Sequence, residues 1–326
     1  MVKPKRARIQ DVAELAGVSN MTVSRVLNKD VKVSDTKKTA VMAAVKELNY
    51  RPNVAARRLA SNKSFFIGLL YYDLDTSYVS KFLLRALKSC RSFGHHLVPD
   101  EIDDDKEKSI RAVRELIDIT QIDGMILLPP VCEMQEIIDV LVDAKIPFVR
   151  IAPDTKLDVS PYIAIDEYLA GYSMTNKLIE LGHTRIGHII GNTNQGASRL
   201  RYQGYLDALR SKQINVPPEY IVQGFFTYES GLSAATQLLS LDEPPTAIFA
   251  SNDEMAAAVI SVANGKSISV PDQLSVAGFD DGHLAITLSP HLTTVRQPIL
   301  EMADLAVEML ISGKINNKQK VALTDC

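Results

Sequence analysis

Residues 9–28 read IQDVAELAGVSNMTVSRVLN. Ile9, Val12, Ala13 and Ala16 fall at helical spacing on one face. Gly17-Val18-Ser19 then breaks the helix: glycine takes the positive φ that a C-cap needs, and Ser19 is an N-cap type for the helix that follows. That second helix, Asn20 to Leu27, turns Val23, Val26 and Leu27 inward. A third begins after Ser34 and lays Ala40, Val41, Ala44, Val45 and Leu48 on one side. Two short helices joined by a tight glycine turn, with a third packed across them, make a helix-turn-helix unit. The second helix leaves Asn20, Met21, Thr22, Ser24 and Arg25 on its free face. Short polar side chains and one arginine suit base edges and phosphates in a DNA major groove.

Charge points the same way. Residues 1–63 hold 14 Lys and Arg against 5 Asp and Glu, a net +9, while the remainder carries −12. A small basic end on an acidic body is the footprint of a nucleic-acid arm, although a solvated lysine-rich tail has the same balance. The chain has 326 residues and 46% hydrophobic composition, enough for two or three domains with a sizeable core. Its cysteines, Cys90, Cys132 and Cys326, are far apart and show no metal spacing, as expected of a reducing compartment. No apolar core follows the basic start MVKPKRARIQ, and no apolar run approaches the length of a membrane span. A cytoplasmic protein without a membrane partner is expected.

Tyr50-Arg51-Pro52-Asn53 ends the third helix, since the residue before proline avoids the α region. The following VAARRLASNKS is too short and basic to hold a helix alone, and reads as a linker that becomes helical when bound. Past Ser64, apolar strand-like runs such as FFIGLLYY, DGMILLPP, RIGHIIG, TAIFASN and LSVAGFDD alternate with amphipathic helices. That alternation implies parallel sheets with crossover helices. About ten strands are better divided between two doubly wound lobes than placed in one sheet, with a ligand cleft beyond the carboxyl ends of the strands. The fold class is therefore α/β, divided as residues 1–50 (all-helical headpiece), 51–63 (hinge) and 64–326 (two-lobed core).

IQDVAELAGVSNMTVSRVLN and ELNYRPNVAARRLASNKS together closely resemble the headpiece of the LacI/GalR family of bacterial transcription repressors. LIELGHTRIGHIIG, SRLRYQGYLDAL, PTAIFASNDEMA, SVAGFDD and PHLTTVRQP extend the resemblance over nearly the whole chain. It implies a core like a periplasmic sugar-binding protein, and a homodimer whose paired headpieces read a roughly palindromic operator. It implies release from double-stranded operator DNA by a small sugar or sugar-phosphate effector, and no cofactor. By this resemblance Asn20, Met21 and Arg25 occupy base-reading positions, and Ser19, Thr22, Ser24, Asn28 and Ser34 phosphate-holding ones. Asn53, Ala56 and Leu59 match the hinge helix, with Leu59 as a minor-groove wedge. Such a wedge unstacks a base step, and Arg57 and Arg58 stand ready for phosphates. A core leucine is the alternative for Leu59. Met21 is apolar where some relatives place a polar reader. The family's usual last strand would follow the point where this sequence stops, Cys326.

In the core the resemblance points Arg201 into the cleft, with Asn252 and Asp280 at strand ends. An arginine, an amide and a carboxylate can each bind vicinal hydroxyls in bidentate fashion. Phe226 falls where sugar-binding members place a stacking aromatic. Tyr72, Asp73 and Tyr78 end or follow the first strand, Asp166 follows YIAI, and Gln297 falls in a crossover between lobes. Each has a structural alternative: Asp280 as a turn cap, Phe226 as core, Asp73 and Asp166 as loop carboxylates. Asp253 reads as a helix cap, Asp103 to Asp105 as capping charge, and His95-His96 as structural.

An enzyme finds little support. No GxGxxG follows the first strand, and the sequence has neither GxxxxGK nor a GxSxG elbow. A periplasmic binding protein fits the core but not the headpiece. A purine-responsive regulator of the same family is the nearer alternative, although Phe226, Arg201, Asn252 and Asp280 together favour polyols. The sequence ends without a heptad extension, which favours a dimer over a coiled-coil tetramer.

Overall fold

The computed structural model describes residues 7–27, 33–50, 63–73 and 76–313. The chain divides into two compact units, residues 1–64 and 65–326.

The first unit contains α1 (Ile9–Ala16), α2 (Asn20–Leu27) and α3 (Asp35–Glu47). Gly17 caps α1 in the left-handed conformation, at φ 62°, with open space where a Cβ would stand. Ser19 Oγ accepts the Thr22 amide at 3.2 Å and so caps α2. Val12, Ala13, Val23, Val26, Val33, Val41 and Ala44 form the core, with Leu27, Val45 and Leu48 packed against it. The faces read from helical spacing are the faces buried.

The second unit carries ten strands among its described residues, five in each of two sheets. The first lobe runs β1 (Phe66–Tyr71), α4 (Ser77–Ser92), β2 (His96–Glu101), α5 (Lys106–Glu115), β3 (Gly124–Leu127), α6 (Gln135–Asp143), β4 (Phe148–Ile151) and β5 (Tyr162–Ile163). The second runs α7 (Glu167–Glu180), β6 (Ile186–Ile190), α8 (Gly196–Ser211), β7 (Ile221–Gln223), α9 (Tyr228–Leu238), β8 (Ala247–Ala250), α10 (Asp253–Gly265), β9 (Ser275–Asp280), α11 (His283–Thr287) and β10 (Thr293–Arg296). A last helix, α12 (Ile299–Ser312), packs back on α4, β3 and β4 of the first lobe.

All strand pairs are parallel. The orders are β2-β1-β3-β4-β5 and β10-β9-β8-β6-β7. Counted from its own first strand, each lobe therefore has the same order, 2-1-3-4-5. The chain reverses direction across the sheet at β1/β3 in one lobe and at β6/β8 in the other, where doubly wound sheets open a crevice. Strand interiors such as β3 and β8 are buried throughout, as sheets covered by helices on both faces require.

Three details differ from the sequence reading. The sequence reads as a helix over 199–211, whereas α8 starts three residues earlier, at Gly196. The sequence after HHLVPD reads as one helix over 106–119, whereas α5 gives way at Leu116 to a π-helical turn, Leu116–Thr120. Strand β10 was legible only as a motif, PHLTTVRQP, because it is a short edge strand in which only Val295 is buried.

Candidate effector cleft and DNA-reading face

The carboxyl ends of the strands in both lobes face one cavity of about 230 Å³. Tyr72 and Asp73 reach it from the end of β1, Pro129 and Pro130 from the end of β3, and Tyr78 from α4. The second lobe contributes Asn192, Arg201, Phe225, Phe226, Asn252 and Asp280, and Gln297 enters just after β10.

Arg201 is the central cation. Its helix α8 lies against α7 at unusually short range: a Cβ on Gly204 would stand 2.3 Å from the Tyr168 carbonyl, and one on Gly171 2.5 Å from the Arg201 carbonyl. Only glycine allows that approach. Arg201 is thereby held beside Glu167, with Nε donating to Oε2 at 2.8 Å, and both side chains are about 95% buried. Nη1 donates to the Ser251 carbonyl at 2.5 Å. The guanidinium lies 3.4 Å from the Phe279 ring centroid and 5.9 Å from that of Phe226. Below it, α8 is fixed to the sheet through His188. His188 stacks on Tyr205 at 4.8 Å and shares a 2.9 Å hydrogen bond with the Phe249 carbonyl. Burial lowers the His188 pKa to about 3, so the ring stays neutral.

Asp280 ends β9 and is 5% exposed. Gln297 Nε2 donates to its Oδ1 at 2.7 Å. Burial raises its pKa well above the usual carboxylate range, opposed by Arg201 and reinforced by Glu254 and Asp253. Asn252 caps α10 by accepting the Met255 amide at 3.0 Å, while its Nδ2 donates to the Phe226 carbonyl and to Glu254. Asp253 is fully buried and pushed up to about 6 by burial, although Thr294 and the Gly282 amide donate to it. Phe226 (φ 65°), Asp280 (φ 116°) and Ala152 (φ 49°) all line the cavity in backbone conformations that L-residues rarely adopt. Strain of this kind collects at functional sites, where the surroundings over-determine the chain.

Contacts across the cleft tie the lobes together. The Ser77 amide, at the start of α4, donates to Glu254 Oε1 at 2.9 Å, and Lys81 Nζ donates to the Asp281 carbonyl at 3.1 Å. Arg199 pairs with Asp154.

In the first unit, α2 exposes Asn20, Met21 and Arg25, with Met21 64% exposed. Thr22 and Ser24 are half-buried, and Ser19 and Ser34 lie exposed just before α2 and α3.

Residues 8–53 match the family described as bacterial regulatory proteins, lacI family, and residues 175–324 match a periplasmic binding protein-like domain. The ribose operon repressor of Escherichia coli (strain K12) is 36% identical over 94% of this chain and 92% of its own length. The transcriptional repressor PurR of Haemophilus influenzae (strain PittEE) is 33% identical over 96% and 93%. The chain belongs to the LacI family. Among solved structures of LacI relatives, a Lac repressor dimer bound to operator and the anti-inducer ONPF aligns at TM-score 0.74 and 28% identity, covering 94% of this chain and 92% of that one. A CelR–cellobiose complex aligns at TM-score 0.71 and 28% identity, covering 98% and 97%. This protein is thus a DNA-binding regulator with a helix-turn-helix headpiece and a two-lobed core. No helix among its described residues is long and apolar enough to cross a membrane.

Of the core residues nominated from sequence, Tyr72, Asp73, Tyr78, Arg201, Phe226, Asn252, Asp280 and Gln297 all line the one cavity. Asp166 does not. It caps α7, accepting the Leu169 amide at 3.0 Å, and faces a separate depression of about 210 Å³. Its neighbour Glu167 takes the cleft position instead, and sequence reading missed it. A cap side chain folds back on its own helix start, so the next residue was the better choice for the cleft. Asp253 caps nothing: Asn252 has that role, and Asp253 turns inward. The expected capping by Asp103 to Asp105 narrows to Asp105, which accepts the Lys108 amide. Asn28, Asn53, Ala56, Arg57 and Leu59 lie outside the described residues.

Proposed function

We propose that this protein represses a carbohydrate-utilisation operon and is released from its operator by a small sugar or sugar-phosphate effector seated in the interlobe cleft. The observation that carries the reading is the gathering of Arg201, Asn252, Asp280 and Gln297 around one cavity with the Phe226 ring beside them. Buried fork-shaped donors and acceptors match vicinal hydroxyls, and a flat ring matches the apolar face of a sugar. The ribose operon repressor and the cellobiose complex among its relatives point to the same ligand class. The cavity is smaller than the roughly 300–1,000 Å³ of drug-sized sites, which favours a single ring.

The working division is a headpiece over residues 1–50, a hinge over 51–63 and an effector and dimerisation core from 64 onward. The break between compact units at residues 64 and 65 supports the second boundary. Ser19, Asn20, Met21, Thr22, Ser24, Arg25, Asn28 and Ser34 would meet operator DNA, joined at the hinge by Asn53, Ala56, Arg57 and Leu59. The protein acts as a homodimer in the cytoplasm, by binding rather than catalysis. A thermal-shift panel of pentoses, hexoses, disaccharides, sugar phosphates and purine bases tests the reading. A ligand at 100 times its Kd adds about 2.7 kcal/mol of stability, and the same ligand should dissociate the operator complex in a mobility-shift assay. Stabilisation by purine bases alone would replace the sugar with a purine effector.

A further inference from the structure

Anions bind proteins through unpaired cations and through helix N-termini, where free amides and the helix dipole converge. The cleft is surrounded by both kinds of group, and in each case a carboxylate of the chain itself is already present. Arg201 is the only Lys or Arg among the described residues lining the cavity, and its charge is matched by Glu167. Asp73 and Asp280 add acidic groups to the same wall.

The helix ends follow the same rule. At α4, the Ser77 amide donates to Glu254. Helix α7 opens with its cap Asp166 and then Glu167. Helix α10 opens with Asp253 and Glu254, and α9 has Glu229 in its first turn. Helix α8 has no acid of its own in that turn. Asp154 from the other lobe supplies one: its carboxylate lies against Gly196 and pairs with Arg199. A phosphate entering this cavity would leave water without gaining an unmatched lysine or arginine among the described lining residues, and uncompensated burial of charge is expensive. A hydroxyl has no such difficulty. Arg201 has N–H groups to spare beyond its bonds to Glu167 and Ser251, and Asp280 and Gln297 offer acceptor and donor side by side.

We infer that the cleft selects an uncharged, unphosphorylated sugar and rejects its phosphate esters, because the cation among its described lining residues is already paired with buried Glu167 and acidic residues stand at the helix starts around it. The inference rests on the cleft being a sugar-effector seat, and it narrows the effector class left open above.

Isothermal titration of the full-length protein with matched pairs tests it: ribose and ribose 5-phosphate, glucose and glucose 6-phosphate, adenosine and adenosine 5′-monophosphate. One neutral sugar should bind, with its phosphate ester roughly a hundredfold or more weaker. In Glu167→Gln, which keeps a hydrogen-bonding partner for Arg201 but removes the charge, the gap between the two should narrow by about tenfold. An ester that binds as tightly as its parent, or that binds while its neutral parent is silent, overturns the inference while leaving a sugar-phosphate effector in place. Binding of adenosine with no sugar active defeats the sugar assignment itself, and the adenosine 5′-monophosphate arm still reads whether charge is rejected. An unchanged gap in Glu167→Gln, with the variant folded by its melting transition, removes Glu167 as the source of selectivity.

Discussion

At the scale of single residues, two side chains carry separable predictions. Arg25 stands exposed near the end of α2, beside Met21 on the face left free by core packing. If it reads a base edge, Arg25→Ala weakens operator binding by about 1–3 kcal/mol and relaxes preference at one base pair per half-site. Equal losses on operator and random DNA would assign it to phosphates instead. Asp253 poses a question of pH. Its pKa rises from 3.8 to about 6 through burial, with nearby Glu254 and Asp281 adding to the rise. Between those values the unfolded chain has released the proton and the folded chain still holds it. Stability from this group is thus greatest below about pH 4 and is lost as pH rises through about 6. Asp253→Asn preserves an acceptor for the Gly282 amide and has no charge to bury. The melting temperature of the variant relative to wild type should therefore climb between pH 4.5 and 7.5. A constant difference across that range would mean that the Asp253 carboxylate is not penalised by burial.

At the scale of elements, the cleft depends on how closely α7 and α8 approach. Gly204 is one turn from Arg201, and a Cβ there would meet two backbone atoms, the Tyr168 carbonyl oxygen at 2.3 Å and the Tyr172 nitrogen at 2.6 Å. Backbone cannot swing aside as a side chain does. Gly204→Ala should force the helices apart, destabilise the core by roughly 1–3 kcal/mol and displace Arg201 from Glu167. Denaturant titration and effector calorimetry read the two effects. Gly265→Ala is the control, since its Cβ would meet nothing within 4 Å, and alanine is the better helix former. If Gly204→Ala behaves like the control, the close crossing is not what positions Arg201.

At the scale of the whole molecule, the cleft and the DNA-reading face belong to separate units joined through the segment around residue 64. The proposed effector seat draws on both lobes, so a ligand bound there would bias their closure, in concert with Ser77–Glu254, Lys81–Asp281 and Arg199–Asp154. If lobe closure sets the spacing of two hinges in a dimer, effector and operator are linked through one two-state element, and the linkage is reciprocal. Operator should weaken effector affinity by the same factor that effector weakens operator binding. Calorimetry with and without operator measures one factor, and operator titration with and without effector the other. Unequal factors, or effector affinity indifferent to operator, would remove the hinge as the switch.

The amino-acid sequence by itself determined the headpiece, the alternation of strands and helices, and most of the cleft. These depend on local rules: helical spacing of Val12, Val23 and Val41, the positive φ of Gly17, and polar residues placed where apolar strands end. Asn252 and Asp280 stand where apolar strands end, and strand ends in doubly wound sheets converge on one crevice; Arg201, inside α8, was legible only through the resemblance to the LacI/GalR family. Only the tertiary structure decided between neighbours and between partners. Asp166 and Glu167 are adjacent carboxylates at one helix start, and which of them caps and which faces the cleft depends on how α7 lies against α8. The charge state of the cavity was equally invisible in one dimension. Glu167, Glu254 and Asp154 reach Arg201, Ser77 and Gly196 from 34, 177 and 42 positions away. No periodicity records a pairing across such distances, because it is made by the packing of elements and not by the chain that connects them.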